Sequence, residues 1–151
     1  MNAEPRRTRA APRRARVVLI LAGAYNLAWG GAVIIAPNAG FALMDLDPPT
    51  YPQIWQCLGM VVGVYGVGYL IAASDPWRHW PIVLVGLLGK IFGPIGFVYY
   101  AAIGQFPWSF GWTIITNDLL WWPWFVAILL GARRRAAADA ANADDAPGAG
   151  S

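Results

Sequence analysis

Four apolar blocks, separated by short polar segments, constrain the fold of this chain more than any other feature of its sequence. Each block has about the 20 residues that an α-helix needs to cross roughly 30 Å of hydrocarbon. Backbone groups inside a bilayer must be paired within their own segment, so a helix is the natural form for each block. We therefore predict an all-α integral membrane protein, a four-helix bundle, with helices at about residues 17–36, 54–73, 81–103 and 110–132.

The positions of the arginines predict the orientation of this bundle. Ten arginines precede the first helix, lie between the second and third, or follow the fourth, and segments 37–53 and 104–109 contain neither Lys nor Arg. Four spans would place all ten on one side, which the positive-inside rule makes cytoplasmic. We expect both termini to be cytoplasmic and the protein to lie in the bacterial inner membrane.

Charge is otherwise scarce, since only 13% of the 151 residues are charged and 58% are hydrophobic. Soluble domains carry about 25% charged residues. We predict disorder in the basic segment 1–16 and in the Ala-, Asp- and Gly-rich segment 133–151. Anionic lipid and topology account for the basic N-terminus, so the bilayer is the expected partner and nucleic acid is not. A protein partner or a homo-oligomer stays open.

Two charged residues lie inside the predicted spans. At 1.5 Å per residue, Lys90 lies roughly 13 Å from one membrane surface and Asp118 roughly 13 Å from the other, so their depths nearly coincide. Their helices are antiparallel and joined by a short loop. An unpaired charge at the centre of a span costs about 2.5–3.5 kcal/mol on insertion scales. We therefore predict that Lys90 and Asp118 pair near the midplane.

Prolines lie close to both charges. Pro94 has no N–H for the carbonyl of Lys90, and Pro123 has none for the carbonyl of Leu119. Each proline therefore predicts a helix kink with a freed carbonyl group. Freed carbonyls at this depth occur where transporters bind ions or substrates, although kinks also occur in ordinary membrane helices.

Two further polar residues reach the same depth. Asn26 of the first helix and Tyr65 of the second join Lys90 and Asp118 as a candidate polar core, with one residue from each helix. Asn117 is expected to point about 100° away from Asp118 on a continuous helix. The polar core has two interpretations, a structural interhelical network or a working site. Close helix packing is predicted at two pairs of small residues, Gly59 with Gly63 and Gly89 with Gly93.

The remaining chemistry of the chain is sparse. Cys57 is the single cysteine, near the outer end of the second helix. A thiol catalyst needs a base or an activating charge nearby, and none is evident in the sequence, so Cys57 is a redox candidate without a motif. We see no metal-ligand cluster, phosphate-binding loop or Ser-His-Asp set, and we expect no metal.

Three runs carry a resemblance to a known family: "YPQIWQCLGMVVGVYGVGYLIAA", "DPWRHWPIVLVGLLGKIFGPIGF" and "FGWTIITNDLLWW". They resemble small bacterial four-helix membrane proteins that are often labelled alkyl hydroperoxide reductase, over roughly residues 17–132. In architecture the chain is also similar to DoxX-like four-helix proteins, some of which are linked to quinone chemistry. The first label implies a peroxidatic cysteine, for which Cys57 is the candidate, and the second implies quinone as a cofactor.

Two classes of function therefore remain. The first is a non-enzymatic membrane protein built around Lys90 and Asp118: a small carrier, a proton-linked element or an assembly partner. The second is a membrane oxidoreductase component that works with quinone or on peroxides, with Cys57 or the polar core taking part. Co-purification of a small molecule or protein would distinguish them.

Overall fold

The computed structural model of the protein describes residues 11–144, and this part of the chain is helical, with no strand. Four segments are long and apolar enough to cross a membrane, as predicted from the sequence. The helices are α1 (Arg13–Ile35), α2 (Ala39–Leu43), α3 (Pro52–Ser74), α4 (Trp80–Ala102), α5 (Gly111–Asn117) and α6 (Trp122–Asp144). One 3-10 turn, Trp108–Phe110, precedes α5, and another, Leu119–Trp121, follows it.

Both outer boundaries of the bundle differ from the prediction. Helix α1 begins at Arg13 instead of residue 17, and α6 continues to Asp144, so residues 133–144 are helical where we expected disorder. Alanine and arginine favour helix, and Arg135 pairs with Asp139 one turn later at 3.6 Å. Hydropathy shows only where the apolar stretch ends, whereas the helix itself continues through the polar turns beyond that point. The predicted disorder of residues 1–10 and 145–151 lies outside the described residues.

Helices α1 and α3 are antiparallel and touch through their backbones at two pairs of glycines. A methyl group on Gly66 would lie 2.8 Å from the carbonyl oxygen of Gly23, and one on Gly30 would overlap the carbonyl oxygen of Gly59. No side chain fits at such a crossing, so α1 and α3 form a closely packed pair. On α4, by contrast, a methyl group on Gly89 would meet no described atom within 4 Å. The predicted packing contact at Gly89 is therefore wrong.

The apolar core lies toward the end of the bundle where α1 and α4 begin and α3 ends. Tyr69, Phe125, Leu19 and Val83 are almost completely buried there, together with small alanines such as Ala72. We call this the closed end. A cavity lies beyond the closed end and is lined by residues of α1, α3, α4 and α5.

The fourth predicted helix is interrupted. Helix α5 ends at Asn117, Asp118 has φ −119° and ψ −65°, and a 3-10 turn over Leu119–Trp121 leads into α6. The fourth predicted span is thus present, within Trp108–Ala143, but as two helices joined by a 3-10 turn, close to where Pro123 predicted a kink. Thr, Asn and Asp are poor helix formers whose side chains compete for backbone hydrogen bonds, and Pro123 removes the donor for the carbonyl of Leu119.

Candidate functional site

The predicted pair of charges is present where the fourth helix is interrupted. Lys90 Nζ lies 3.8 Å from Asp118 Oδ1, and the two residues are only 4% and 6% exposed. The ammonium group also donates a hydrogen bond to the backbone carbonyl of Asn117 at the end of α5. This carbonyl is available because α5 ends there, so the helix break and the charged pair form one arrangement.

Two tryptophans satisfy carbonyl groups around the break. Pro94 frees the carbonyl of Lys90, as predicted, but Trp122 Nε1 donates to that oxygen at 3.0 Å. Trp121 Nε1 donates in the same way to the carbonyl of Thr116 at 3.1 Å. The Lys90 carbonyl is thus used for packing α4 against α6, and the expectation that it could serve a ligand is not supported. The indole of Trp121 therefore joins the 3-10 turn to α5, and the indole of Trp122 joins α6 to α4.

Asn117 belongs to the site, although we expected its side chain to point away from Asp118. Its Nδ2 donates to Asp118 Oδ1 at 3.0 Å. The angular argument assumed a continuous helix, and it fails because the backbone leaves helical geometry at Asp118. The sequence does contain a signal for this helix break, because four poor helix formers lie within eight residues: Thr116, Asn117, Asp118 and Pro123.

Two buried amide oxygens near the pair have no donor among the described residues. They are Asn26 Oδ1 and Asn117 Oδ1. Asn26 is 2% exposed, because α1 and α3 enclose it on the side of Gly66. Buried side-chain oxygens in folded proteins are nearly always hydrogen-bonded, so two unpaired acceptors close to one charged pair need an explanation.

One cavity brings all of these groups together. It has a volume of about 280 Å³ and lies between α1, α3, α4 and α5. All four residues of the predicted polar core line it. Tyr69 lines it as well and was missed from the sequence; its ring centroid lies 6.0 Å from Lys90 Nζ. The polar part of the wall is formed by Asn26, Tyr65, Tyr69, Lys90, Thr113, Asn117 and Asp118.

The rest of the wall is apolar and largely aromatic. Trp29 and Trp55 meet edge to face with their ring centroids 5.8 Å apart, and Phe110 lies 6.0 Å from Trp55. These three rings also border a second cavity of about 370 Å³, which lies against α2. The site thus has a polar end beside the charged pair and an aromatic end away from the closed end.

The cavity opens between α3 and α4. At the closed end these helices are in contact, since a methyl group on Gly86 would overlap the hydroxyl of Tyr69. Further along, several residues that line the cavity are exposed: Leu58 at 44% and Val61 at 53% on α3, and Gly89 on α4. In a bilayer this opening would face the hydrocarbon.

The redox and metal candidates lie apart from this cavity. Cys57 is exposed on α3 and is not part of the cavity wall. Within residues 11–144 no group of three or more His, Cys, Asp or Glu side chains could hold a metal ion. The residues of the polar core, by contrast, all line one cavity.

Comparisons with protein-family models, with curated proteins and with solved structures found no match. The resemblance to the family labelled alkyl hydroperoxide reductase, and to DoxX-like proteins, stays a prediction.

Proposed function

We propose that the chain is a four-span protein of the bacterial inner membrane with both termini in the cytoplasm. The exposed apolar surface of its four long helices supports insertion, and the positions of the arginines support the orientation. The guanidinium group of Arg135 lies 5.1 Å from the ring centroid of Trp77, so the α3–α4 loop and the start of the C-terminal extension occupy the same end. This contact supports a common cytoplasmic side for both segments.

Reporter fusions test this topology. A reporter fused at Asp45 is expected to give a periplasmic signal, and one fused after Arg135 a cytoplasmic signal. A cytoplasmic signal at Asp45, or a periplasmic signal after Arg135, would contradict the four-span arrangement.

Within the membrane, we propose that the protein binds a small molecule and belongs to the non-enzymatic carrier class. The observation that carries this proposal is the pair of unpaired amide oxygens, Asn26 Oδ1 and Asn117 Oδ1, beside a buried ion pair in an open cavity. A purely structural network gains stability by satisfying all its members, and each unsatisfied acceptor costs about 1–3 kcal/mol. A binding site has to keep such groups for its ligand.

Two glycines of α4 provide a matched pair of variants to test binding. A methyl group on either Gly89 or Gly96 would meet no described atom within 4 Å, but only Gly89 lines the cavity. Leucine at either position gives the same gain in helix propensity. Gly89→Leu places an isobutyl group at the opening, whereas Gly96→Leu places one two turns away on the same helix face.

Native mass spectrometry of protein purified in a mild detergent measures whether a small molecule is retained. The proposal predicts a retained mass on the wild-type protein and on Gly96→Leu, and its loss from Gly89→Leu. If the wild-type protein retains nothing, or if Gly89→Leu retains the same mass to the same extent, the carrier proposal is refuted.

A further inference from the structure

The charges of the cavity restrict the charge of its ligand. Lys90 and Asp118 form one ammonium–carboxylate pair, and the other side chains of the wall are uncharged. The pair therefore balances itself. A charged ligand would bring an uncompensated charge into a low-dielectric region, which is expensive inside a membrane. A neutral ligand avoids this cost.

The hydrogen-bonding groups restrict its headgroup. Asn26 Oδ1 and Asn117 Oδ1 are acceptors, and neither has a donor among the described residues. The donors nearby are partly engaged, because Lys90 Nζ bonds the carbonyl of Asn117 and the hydroxyl of Thr113 donates to the carbonyl of Phe110 at 2.8 Å. Tyr65, Tyr69 and Asn26 also line the wall, and none of their hydroxyl or amide N–H groups donates a hydrogen bond within the described residues. The wall thus offers both acceptors and donors, and the complementary headgroup is one that both donates and accepts, such as a hydroxyl.

The aromatic end and the opening restrict the rest of the molecule. Trp29, Trp55 and Phe110 offer ring faces and edges, and the opening is bordered by Leu58 and Val61. A volume of about 280 Å³ lies just below the range of about 300–1,000 Å³ that encloses drug-sized ligands. A longer apolar body therefore has to extend through the opening between α3 and α4 into the hydrocarbon.

From these three restrictions we infer that the cavity takes a neutral amphipathic molecule with a hydroxyl headgroup, which enters from the bilayer between α3 and α4. The hydroxyl donates its one proton to the amide oxygen of Asn26 and accepts from a donor of the wall such as the hydroxyl of Tyr65, and the apolar body lies against the aromatic end and the opening. This inference rests on the proposed function, because it names the ligand class of that same cavity.

A pair of photoreactive probes tests the headgroup. One is a long-chain primary alcohol with a diazirine in its alkyl chain, and the other is its methyl ether, which has the same body but no donor. Each is mixed at the same mole fraction into lipid nanodiscs that hold the full chain, and labelled peptides are identified after illumination. Because one hydrogen bond to a buried acceptor changes affinity by about tenfold, the alcohol should label the α3 and α4 segments about tenfold more than the ether.

Three variants test whether the selectivity for the alcohol over the ether arises at the cavity. Asn26→Leu has side-chain branching similar to asparagine, and it should bring the alcohol-to-ether ratio close to one by removing an acceptor. Gly89→Leu should strongly reduce labelling of these segments by both probes, and Gly96→Leu should leave it unchanged. Circular dichroism checks that each variant is folded. The alcohol-to-ether ratio of the wild-type protein tests the headgroup independently of any variant.

Equal labelling by alcohol and ether in the wild-type protein would overturn the inference, as would a ratio that Asn26→Leu leaves unchanged. If a mass is retained in native mass spectrometry but the ratio is one, the ligand class is refuted and the binding proposal stands. If no mass is retained and neither probe labels the cavity, both proposals fail together.

Discussion

Removing either partner of the Lys90–Asp118 pair alone should destabilise the protein strongly. Removing both should cost much less than the sum of the two single losses. Lys90→Met leaves the buried carboxylate with the side-chain amide of Asn117 alone, and Asp118→Leu leaves the buried ammonium with the carbonyl of Asn117 alone. Each single variant therefore strands a charge. The double variant strands no charge, although the carbonyl of Asn117 loses its donor and the side-chain amide of Asn117 loses its acceptor.

The magnitude follows from the distance between the charges. At 3.8 Å and an effective dielectric constant of about 20, Coulomb's law gives an attraction of about 4 kcal/mol. Breaking a buried pair by removing one partner costs about 3–5 kcal/mol, whereas replacing both partners is often nearly neutral. Single losses of about 3–5 kcal/mol each, with a residual loss of about 1–3 kcal/mol in the double variant for the groups of Asn117 left unpaired, correspond to a coupling free energy of at least about 3 kcal/mol between the two positions.

Reversible unfolding in mixed detergent micelles, followed by circular dichroism, measures the free energy of unfolding for the wild-type protein, both single variants and the double variant. The double variant should be at least as stable as the less stable single variant. If the two single losses add to the double loss within about 0.5 kcal/mol, the two side chains are energetically independent and the pairing argument is refuted.

Three further predictions use neighbouring positions as controls. Trp122→Phe removes the donor to the carbonyl of Lys90 and should lower the free energy of unfolding by about 1–3 kcal/mol, whereas Trp124→Phe, at a position 50% exposed, should change it by less than about 0.5 kcal/mol. Gly30→Ala should cost about 1–3 kcal/mol through overlap with α3, and Gly31→Ala, where a methyl group meets no described atom within 4 Å, should cost almost nothing. Cys57→Ser, at an exposed position, should leave both stability and the peroxide resistance of cells unchanged; lost resistance at normal protein levels would favour the redox interpretation.

Much of the fold could be predicted from the sequence because hydropathy is a local signal. A run of about 20 apolar residues specifies a helix of spanning length whatever its neighbours are. The ends of the helices could be predicted less well from the sequence. Arg13 and Asp144 lie beyond the apolar stretches, and the polar turns near them are held by helix propensity and by a pair such as Arg135 with Asp139.

From the sequence, only those contacts of the site could be predicted that follow from the depth of a residue along its helix. Counting residues was enough to bring Lys90 and Asp118 together. It could not find Asn117, whose role follows from the helix break, or Tyr69, whose position follows from contact with Gly86. The cavity itself is lined by residues of four helices, so it depends on how these helices pack together and has no local pattern in the sequence.

The free energy of unfolding of Asn26→Leu, compared with the wild-type protein after both have been freed of bound small molecules, tests most directly whether the polar core is a binding site. Asn26 Oδ1 is buried without a donor among the described residues, so exchanging this amide for an apolar group of similar shape removes an unsatisfied acceptor. We predict that the variant is at least as stable as the wild-type protein. A loss of more than about 1 kcal/mol would mean that Asn26 is a satisfied member of a structural network, and would contradict the account.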